Sequence, residues 1–464
     1  MQRAEQRRMN AKAGARRKPV SPALIFVCLS LLAGSVLGIL IAGHKAGGFR
    51  AGLSSHPYIV FPALLALVVL AKIFVSAKGE RRRLWLCSAV STLILAATFI
   101  TAEFTLRALA VSSELGKRIG DIELLPHDWD QVRLTNTRLL RNLDQGVYVA
   151  DPLLGWDTGK NRESGLYATS AEGIRSAKTH YAYADTPPRQ RIALLGDSFT
   201  FGEEVPFEET WGVQLEKLVD AQVLNFAVTS HGLDQTLLKF EHKVAPWNAQ
   251  VVILGMLNAA GPRSGQVYLS LRPDQAMPFM KPRFVIRDGE ITTLNVPVIP
   301  AAKIYSSDSI FDLPLLQSDA YFLRSDWEPS GFDASHLMRY LFSRFPRWDP
   351  RPVDLSDAAL DELSARLIES LARKVERSES SLVIVFLPER AQFAGKAAKH
   401  KDAIAAALAK SGQTIYDPTA CLLEKMNARD LFVEGGAHYS AKGNAALAAC
   451  LAPRLEPLLA KHAR

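Results

Sequence analysis

Three long apolar segments in the N-terminal quarter of the chain predict membrane-spanning helices. The first, Val20 to Gly43, carries no charged residue, and the second, Pro57 to Ala77, contains only Lys72. The third runs from Leu84 to about Ala108. A helix of about 20 apolar residues crosses the hydrocarbon core of a bilayer. We therefore expect a membrane anchor over residues 20–111, with spans at about 20–43, 57–77 and 84–108.

The positive charge of the chain is concentrated beside these segments. The formal net charge is +8. The tail at residues 1–19 carries +6 and the segment from Lys78 to Arg83 carries +3, so the rest of the chain is close to neutral. Both lie on the same side of the bilayer if all three segments span it, and the positive-inside rule makes that side the cytoplasm. We expect a bacterial inner-membrane protein with a cytoplasmic N-terminus and a periplasmic domain, and a lipid bilayer rather than nucleic acid as its partner.

The part of the chain after the anchor has two sections. Residues 112–190 form a polar stalk and N-terminal extension. From Arg191 onward, short apolar runs alternate with amphipathic stretches, a pattern typical of an α/β fold with a doubly wound parallel sheet. The region at about 262–352 interrupts the alternation with many prolines and aromatic residues. It is predicted to be an insertion, either a lid, a substrate-binding platform or a contact surface. The predicted strands are 192–195, 223–226, 251–254, 382–387 and 414–416, and the predicted helices about 208–219, 234–245, 357–377, 398–411 and 441–460.

A serine follows the first predicted strand, in the run Gly196-Asp197-Ser198. Ligands of open α/β sheets bind at the carboxyl ends of the strands, so Ser198 is a candidate nucleophile. The run is not the Gly-x-Ser-x-Gly elbow, because Thr200 occupies the second glycine position. An ordinary turn is the alternative interpretation, since Gly-Asp-Ser is common turn chemistry.

A nucleophilic serine needs a base and an oxyanion hole. His438 lies in a glycine-rich loop before the last predicted helix, although a histidine without chemistry would also fit there. The turn at Ser230 follows the second strand, and Asn258 follows the third. The backbone amides of Ser198 and Ser230 and the side-chain amide of Asn258 are candidate oxyanion donors. No metal-binding spacing and no glycine-rich phosphate loop is present, so no metal or cofactor is expected.

Four blocks in this order resemble the SGNH (GDSL-type) hydrolases: Gly196–Gly202, Asn225–Gly232, Asn258 and His438–Asn444. Three further runs resemble the membrane-anchored, envelope-facing branch of that family: Asp151–Trp156, Lys281–Val285 and Leu387–Glu389. The resemblance spans roughly residues 150 to 460 and implies an SGNH/flavodoxin-like fold. It also implies that Ser198 attacks an acyl carbonyl, that His438 is general base and then general acid, and that Ser198, Ser230 and Asn258 form the oxyanion hole.

The sequence departs from the family pattern at two positions. The glycine of the second block is replaced by Ser230, and the aspartate expected three residues before His438 is replaced by Gly435. Glu434 is the candidate to orient His438, with Asp430 as a weaker one. Without such a group the site would operate as a Ser-His dyad.

Nearby ionisable residues and the cysteines have simpler interpretations. The pair Glu203 and Glu204 suggests acid/base work, but acidic residues just before a helix usually complement its dipole. His231 is expected in a surface turn, with the edge of the cleft as the alternative. Cys421 and Cys450 lie in the exported part, where a disulfide is permitted.

The chain is thus expected to be a membrane-anchored, extracytoplasmic serine esterase or O-acyltransferase that acts on acetyl or acyl esters of envelope or exported polysaccharide. Its partners would be the bilayer, that substrate and envelope polysaccharide-assembly proteins. A catalytically impaired glycan-binding or assembly protein and an envelope lipase or thioesterase are the alternatives.

Overall fold

The computed structural model describes residues 79–186, 189–272, 277–345 and 352–462. These residues divide into two compact units. The described part of the first unit comprises residues 79–113, 117–127 and 328–345, and the second comprises the remainder. The basic tail and the first two predicted spans, 20–43 and 57–77, lie outside the described residues.

In the first unit, the third predicted span is a helix, Glu80–Leu109. Its buried Glu103 pairs with Arg107 and accepts hydrogen bonds from the Oγ of Ser335 and the backbone amides of His336 and Leu337. These bonds fasten the end of the helix to the helix His336–Arg344. No helix among the described residues is long and apolar enough to cross a bilayer, so the predicted span at 84–108 is not confirmed. The strands Val111–Ser113, Gly116–Ile119 and Ile122–Glu123 follow the long helix.

The second unit is built on the predicted parallel sheet. Its five strands are all parallel and lie in the order β2-β1-β3-β4-β5. This is the flavodoxin-like order, in which ligands bind where the connections diverge between β1 and β3. The prediction of an α/β fold with a parallel sheet is confirmed. The strands are β1 (Arg191–Leu195), β2 (Gln222–Asn225), β3 (Val251–Met256), β4 (Ser381–Phe386) and β5 (Ile415–Tyr416).

Helices cover both faces of this sheet because each strand is apolar on both sides. Along β1, Ala193 and Leu195 belong to one core cluster, whereas Ile192 and Leu194 belong to another. This alternation follows from the two-residue period of a strand. The first cluster packs on the helices Leu233–Lys239, Asp357–Arg377 and Lys399–Leu408, and the second on Trp211–Glu216, Thr419–Lys425 and Ala441–His462.

The segments before and within the sheet form smaller structures. A third core cluster surrounds Trp156, which stacks on Phe279 with a centroid separation of 5.8 Å. The predicted insertion at 262–352 is divided between the two units. Its residues up to Trp327 belong to the second unit, and those from Glu328 to residue 345 belong to the first. The smaller elements are the helix Trp129–Arg141, the hairpin Tyr148–Asp151 with Gly155–Thr158, the strands Glu163–Ser164, Tyr167–Thr169 and Arg175–Ser176, the helices Ala260–Ser264 and Ala301–Ile304, the hairpin Phe284–Arg287 with Glu290–Thr293, and the helix Arg390–Phe393.

A disulfide joins Cys421 and Cys450, whose Cα atoms lie 6.0 Å apart. It links the helix Thr419–Lys425 to the helix Ala441–His462 and closes the loop between them. His438 lies in that loop. The disulfide therefore restricts the unfolded chain in the segment that carries the candidate base.

We expect replacement of Cys421 and Cys450 by alanine to lower the free energy of unfolding by about 3–4 kcal/mol, because the unfolded chain regains the entropy of the loop. Urea unfolding of the double variant and of the wild type gives the difference. Dithiothreitol should lower the stability of the wild type and leave that of the variant unchanged. An identical midpoint for reduced and oxidised wild type would contradict the prediction.

Candidate active site

Ser198 begins the short helix Ser198–Phe201 immediately after β1. The preceding Asp197 caps this helix by accepting a hydrogen bond from the backbone amide of Phe199 at 3.1 Å. Its other oxygen pairs with Arg263 at 2.6 Å, in a contact where both side chains are at most 10% exposed. Both oxygens of Asp197 are therefore engaged in holding the turn that presents the candidate nucleophile Ser198.

The ends of β1 and β3 approach each other closely at this point. A Cβ atom on Gly196 would lie 2.7 Å from the carbonyl oxygen of Gly255 and 2.5 Å from the Oγ1 of Thr200. Gly196 also has φ 149°, a conformation that favours glycine. Only a residue without a side chain fits here, so the glycine of the first block is explained by space as well as by conformation.

The candidate base is held against the serine from the other end of the chain. The Nε2 of His438 lies 2.9 Å from the Oγ of Ser198. The backbone carbonyl of His438 accepts a hydrogen bond from the amide of Val433, and the hydroxyl of Tyr439 donates to the carbonyl of Pro388 at 2.8 Å. The loop around His438 is thus tied to the segment after β4, and the structure brings the two predicted catalytic residues into hydrogen-bonding contact.

Glu204, rather than Glu434, faces the other nitrogen of the imidazole. The Nδ1 of His438 lies 3.3 Å from the Oε1 of Glu204. The two atoms are in close contact, but the buried Nδ1 makes no aligned hydrogen bond within the described residues. Catalytic hydrogen bonds are often long before substrate binds. Glu434 is exposed, so the structure does not match the expectation that it orients the histidine.

The carboxylate of Glu204 is fixed by the loop that it faces. It accepts hydrogen bonds from the backbone amides of Ala437 and His438, each at 3.1 Å. Burial acts to raise the pKa of Glu204, but these bonds and the imidazole outweigh it, so the pKa lies below its ordinary value. The group is therefore charged at neutral pH and can stabilise a protonated His438.

Glu203 lies beside the other nitrogen of the same imidazole. Its Oε2 lies 3.5 Å from the Nε2 of His438. Its Oε1 accepts hydrogen bonds from the hydroxyls of Thr229 and Tyr148. Both carboxylates lie beside His438, so the structure does not match the expectation that Glu203 and Glu204 complement a helix dipole. The sequence did contain a signal, since the expected aspartate is absent and two acidic residues follow the serine closely.

The candidate oxyanion donors have different surroundings. Within the described residues, the backbone amides of Ser198 and Ser230 donate to no protein acceptor. The Oδ1 of Asn258 accepts from the amides of His400 and Lys401 at 3.1 and 3.2 Å, which leaves its NH₂ group as the end without such bonds. Ser230 has φ 63°, which explains why glycine is the family's residue at this turn.

His231 does not lie in a surface turn as expected. Only 4% of it is exposed, and its Nε2 donates to the carbonyl oxygen of Trp156 at 3.0 Å. Burial lowers the pKa of His231 to about 3, so the ring is neutral at physiological pH. His231 therefore stabilises the turn beside Ser230 and is not a second base.

Comparisons with known proteins give only distant similarities. No protein-family model matches the sequence, and no curated protein matches it significantly. A structure described as a lipolytic protein of the G-D-S-L family from Desulfitobacterium hafniense DCB-2 aligns with 57% of this chain and 99% of its own, at 14% identity and a TM-score of 0.30. TesA aligns with 58% of this chain and 99% of its own, at 10% identity and a TM-score of 0.33. A lipase/acylhydrolase from Enterococcus faecalis aligns with 58% of this chain and 96% of its own, at 9% identity and a TM-score of 0.30. At these values, activity has to be argued from the site itself.

We expect Glu204→Gln to reduce kcat for p-nitrophenyl acetate by about 10²-fold with little change in KM, because the imidazolium that forms during the reaction loses its counter-charge. Steady-state kinetics over a range of pH measure this. Glu434→Gln makes the same chemical change at the exposed candidate and should stay close to the wild type. A loss of kcat in Glu434→Gln alone would instead assign the orienting role to Glu434.

Gly436→Ala tests the space that Glu204 occupies. A Cβ atom at this position would lie 2.2 Å from the Oε2 of Glu204, so the carboxylate would have to move away from the loop. We expect kcat to fall by about tenfold or more, with a smaller effect on the thermal midpoint because the end of a glutamate side chain moves easily. Unchanged kcat in a folded variant would show that this placement of Glu204 is not needed.

Proposed function

We propose that the protein is a serine esterase or O-acyltransferase that acts through an acyl-enzyme at Ser198. The observation that carries the proposal is the 2.9 Å contact between the Oγ of Ser198 and the Nε2 of His438 at the carboxyl end of β1. A serine hydroxyl is almost wholly protonated at neutral pH, and a base at hydrogen-bonding distance is what makes it a nucleophile.

The proposed reaction has two halves. Ser198 attacks the carbonyl carbon of an ester while His438 takes the hydroxyl proton and passes it to the leaving alcohol. The backbone amides of Ser198 and Ser230 and the side chain of Asn258 stabilise the oxyanion. In the second half, water or another hydroxyl attacks the acyl-enzyme, its proton goes to His438, and Ser198 leaves with that proton. Hydrolysis and transfer differ only in this second nucleophile.

The proposal also covers location and substrate. We also propose that the domain lies outside the cytoplasm, held by a membrane anchor within residues 20–111. The apolar runs at 20–43 and 57–77 and the basic tail support an anchor, and an exported domain permits the disulfide, whereas the helix Glu80–Leu109 adds no support for a third span. We assign acetyl or acyl esters of envelope or exported polysaccharide as the substrate class, with envelope polysaccharide-assembly proteins as partners. The carboxylate of Glu203 beside His438, which is held by the hydroxyls of Tyr148 and Thr229, supports a hydroxyl-rich substrate over a lipid.

The alternative of an impaired, glycan-binding domain rested on the aspartate missing at Gly435. The contact between Glu204 and the Nδ1 of His438 removes that reason, since a carboxylate is supplied from a different loop. We therefore favour an active enzyme over a binding module.

The test is ester turnover by the purified full-length protein, with p-nitrophenyl acetate and an acetylated polysaccharide as substrates. We expect Ser198→Ala and His438→Ala each to lower kcat/KM by at least about 10³-fold, because both halves of the reaction need both groups. Mass spectrometry of a rapidly quenched reaction should show an acetyl group on Ser198. Equal turnover in the wild type and both variants would exclude the serine mechanism. Binding of the polysaccharide without any turnover would favour the binding module.

A further inference from the structure

The proposed two-step mechanism assigns no role to Glu203, although hydrogen bonds hold its carboxylate beside His438. One of its oxygens is already satisfied, because Oε1 accepts from the hydroxyl of Thr229, whose Oγ1 in turn lies 2.6 Å from the hydroxyl of Tyr148. Burial raises the pKa of Tyr148 well above its ordinary value, and the charge of Glu203 raises it further, so the phenol remains protonated. These contacts fix the direction of the carboxylate.

The second oxygen of Glu203 points at the reaction centre. Its Oε2 lies 3.5 Å from the Nε2 of His438, and its side chain is 20% exposed. That nitrogen is also the one that contacts Ser198. Among the described residues, no hydrogen-bond donor is bonded to this oxygen. A fixed carboxylate oxygen thus borders the space that an attacking hydroxyl must enter.

The geometry points to Glu203 as the residue that selects the acyl acceptor, and we propose that it binds a second hydroxyl of a neutral polyol, such as a sugar. The inference rests on the proposed function, since it concerns the acceptor of the same acyl-enzyme. The attacking hydroxyl must place its proton within hydrogen-bonding distance of the Nε2 of His438. A hydroxyl on the neighbouring carbon atom of the same acceptor can then donate to the Oε2 of Glu203.

The step balances without any further reactant. The oxygen of the first hydroxyl forms a bond to the acyl carbon, and its proton passes to His438. The bond between that carbon and the Oγ of Ser198 breaks, and Ser198 takes the proton from His438. Glu203 gains and loses no proton, because it only accepts a hydrogen bond. A carboxylate at this place also disfavours anionic acceptors, since Glu203 and Glu204 together put two negative charges beside the ring.

Three acceptors distinguish this role. The full-length protein is acylated by p-nitrophenyl acetate in the presence of 1,2-propanediol, 1-propanol or lactate, and the p-nitrophenol released is compared with the ester formed. The first two acceptors differ only by the neighbouring hydroxyl. Lactate offers a secondary hydroxyl with a carboxylate on the neighbouring carbon, so its transfer is compared between the wild type and Glu203→Gln. We expect the wild type to transfer to the diol about tenfold better than to 1-propanol, as a hydrogen bond to a charged group predicts, and least to lactate.

Glu203→Gln should reduce the preference for the diol by about tenfold and improve transfer to lactate relative to the diol. The glutamine keeps an oxygen for Thr229, so the variant is expected to fold. Glu290→Gln is the matched control, because Glu290 is exposed on the hairpin Phe284–Arg287 with Glu290–Thr293, and its acceptor preference should equal that of the wild type.

Two outcomes would overturn the inference. Equal transfer to the diol and to 1-propanol by the wild type would exclude it without any variant. A Glu203→Gln variant that loses activity equally with every acceptor would show that Glu203 only supports the loop at Thr229. Failure of the proposed function looks different, because p-nitrophenol release would then be absent or would persist in Ser198→Ala.

Discussion

The hydrogen bond between Ser198 and His438 depends on the order of the strands more than on any local sequence. The two residues are 240 positions apart, and their side chains meet at 2.9 Å. Because β1 lies between β2 and β3, the loops that follow these three strands emerge side by side. The loop of His438 comes after β5 in the chain and is held beside the end of β4, where the hydroxyl of Tyr439 donates to the carbonyl of Pro388. The close approach at Gly196 and Gly255 brings two of the loops together. The order of the sheet therefore determines which residues can act together.

The turn after Ser198 supplies both carboxylates that lie beside the imidazole of His438. Gly202, with φ 84°, ends the helix of Ser198, and Glu204 has φ 68°. These left-handed positions turn the chain sharply, so the adjacent Glu203 and Glu204 reach opposite nitrogens of the ring of His438. The histidine loop contributes only backbone amides and the room left at Gly436. The carboxylate is therefore contributed by the serine's loop and not, as in the family pattern, by the histidine's.

Hydrophobic periodicity predicted the sheet well because its central strands β1 and β3 are buried on both faces. The predicted strand at 192–195 differs from β1 by one residue, and the predicted helix at 357–377 has the observed bounds. Ser198 and His438 were predictable because their roles require particular residue types. Glu204 was not, because a carboxylate can orient an imidazole from any loop that the fold brings near. His231 was misplaced for a related reason, since nothing in a glycine-bearing turn indicates that Trp156 covers it.

The turn at Ser230, the candidate oxyanion donor, is connected to Glu203 through Thr229. A non-glycine residue with φ 63° costs on the order of 1 kcal/mol or more, so the surrounding structure must hold it. The neighbouring Thr229 provides that support, because its carbonyl accepts from the Nε1 of Trp156 at 3.1 Å and its hydroxyl donates to Glu203. The Oε1 of Glu203 thus contacts Thr229, which supports the candidate oxyanion donor Ser230, and its Oε2 contacts the candidate base His438. A change at Glu203 that kept the first contact and removed the charge would separate the geometry of the oxyanion hole from the choice of acceptor.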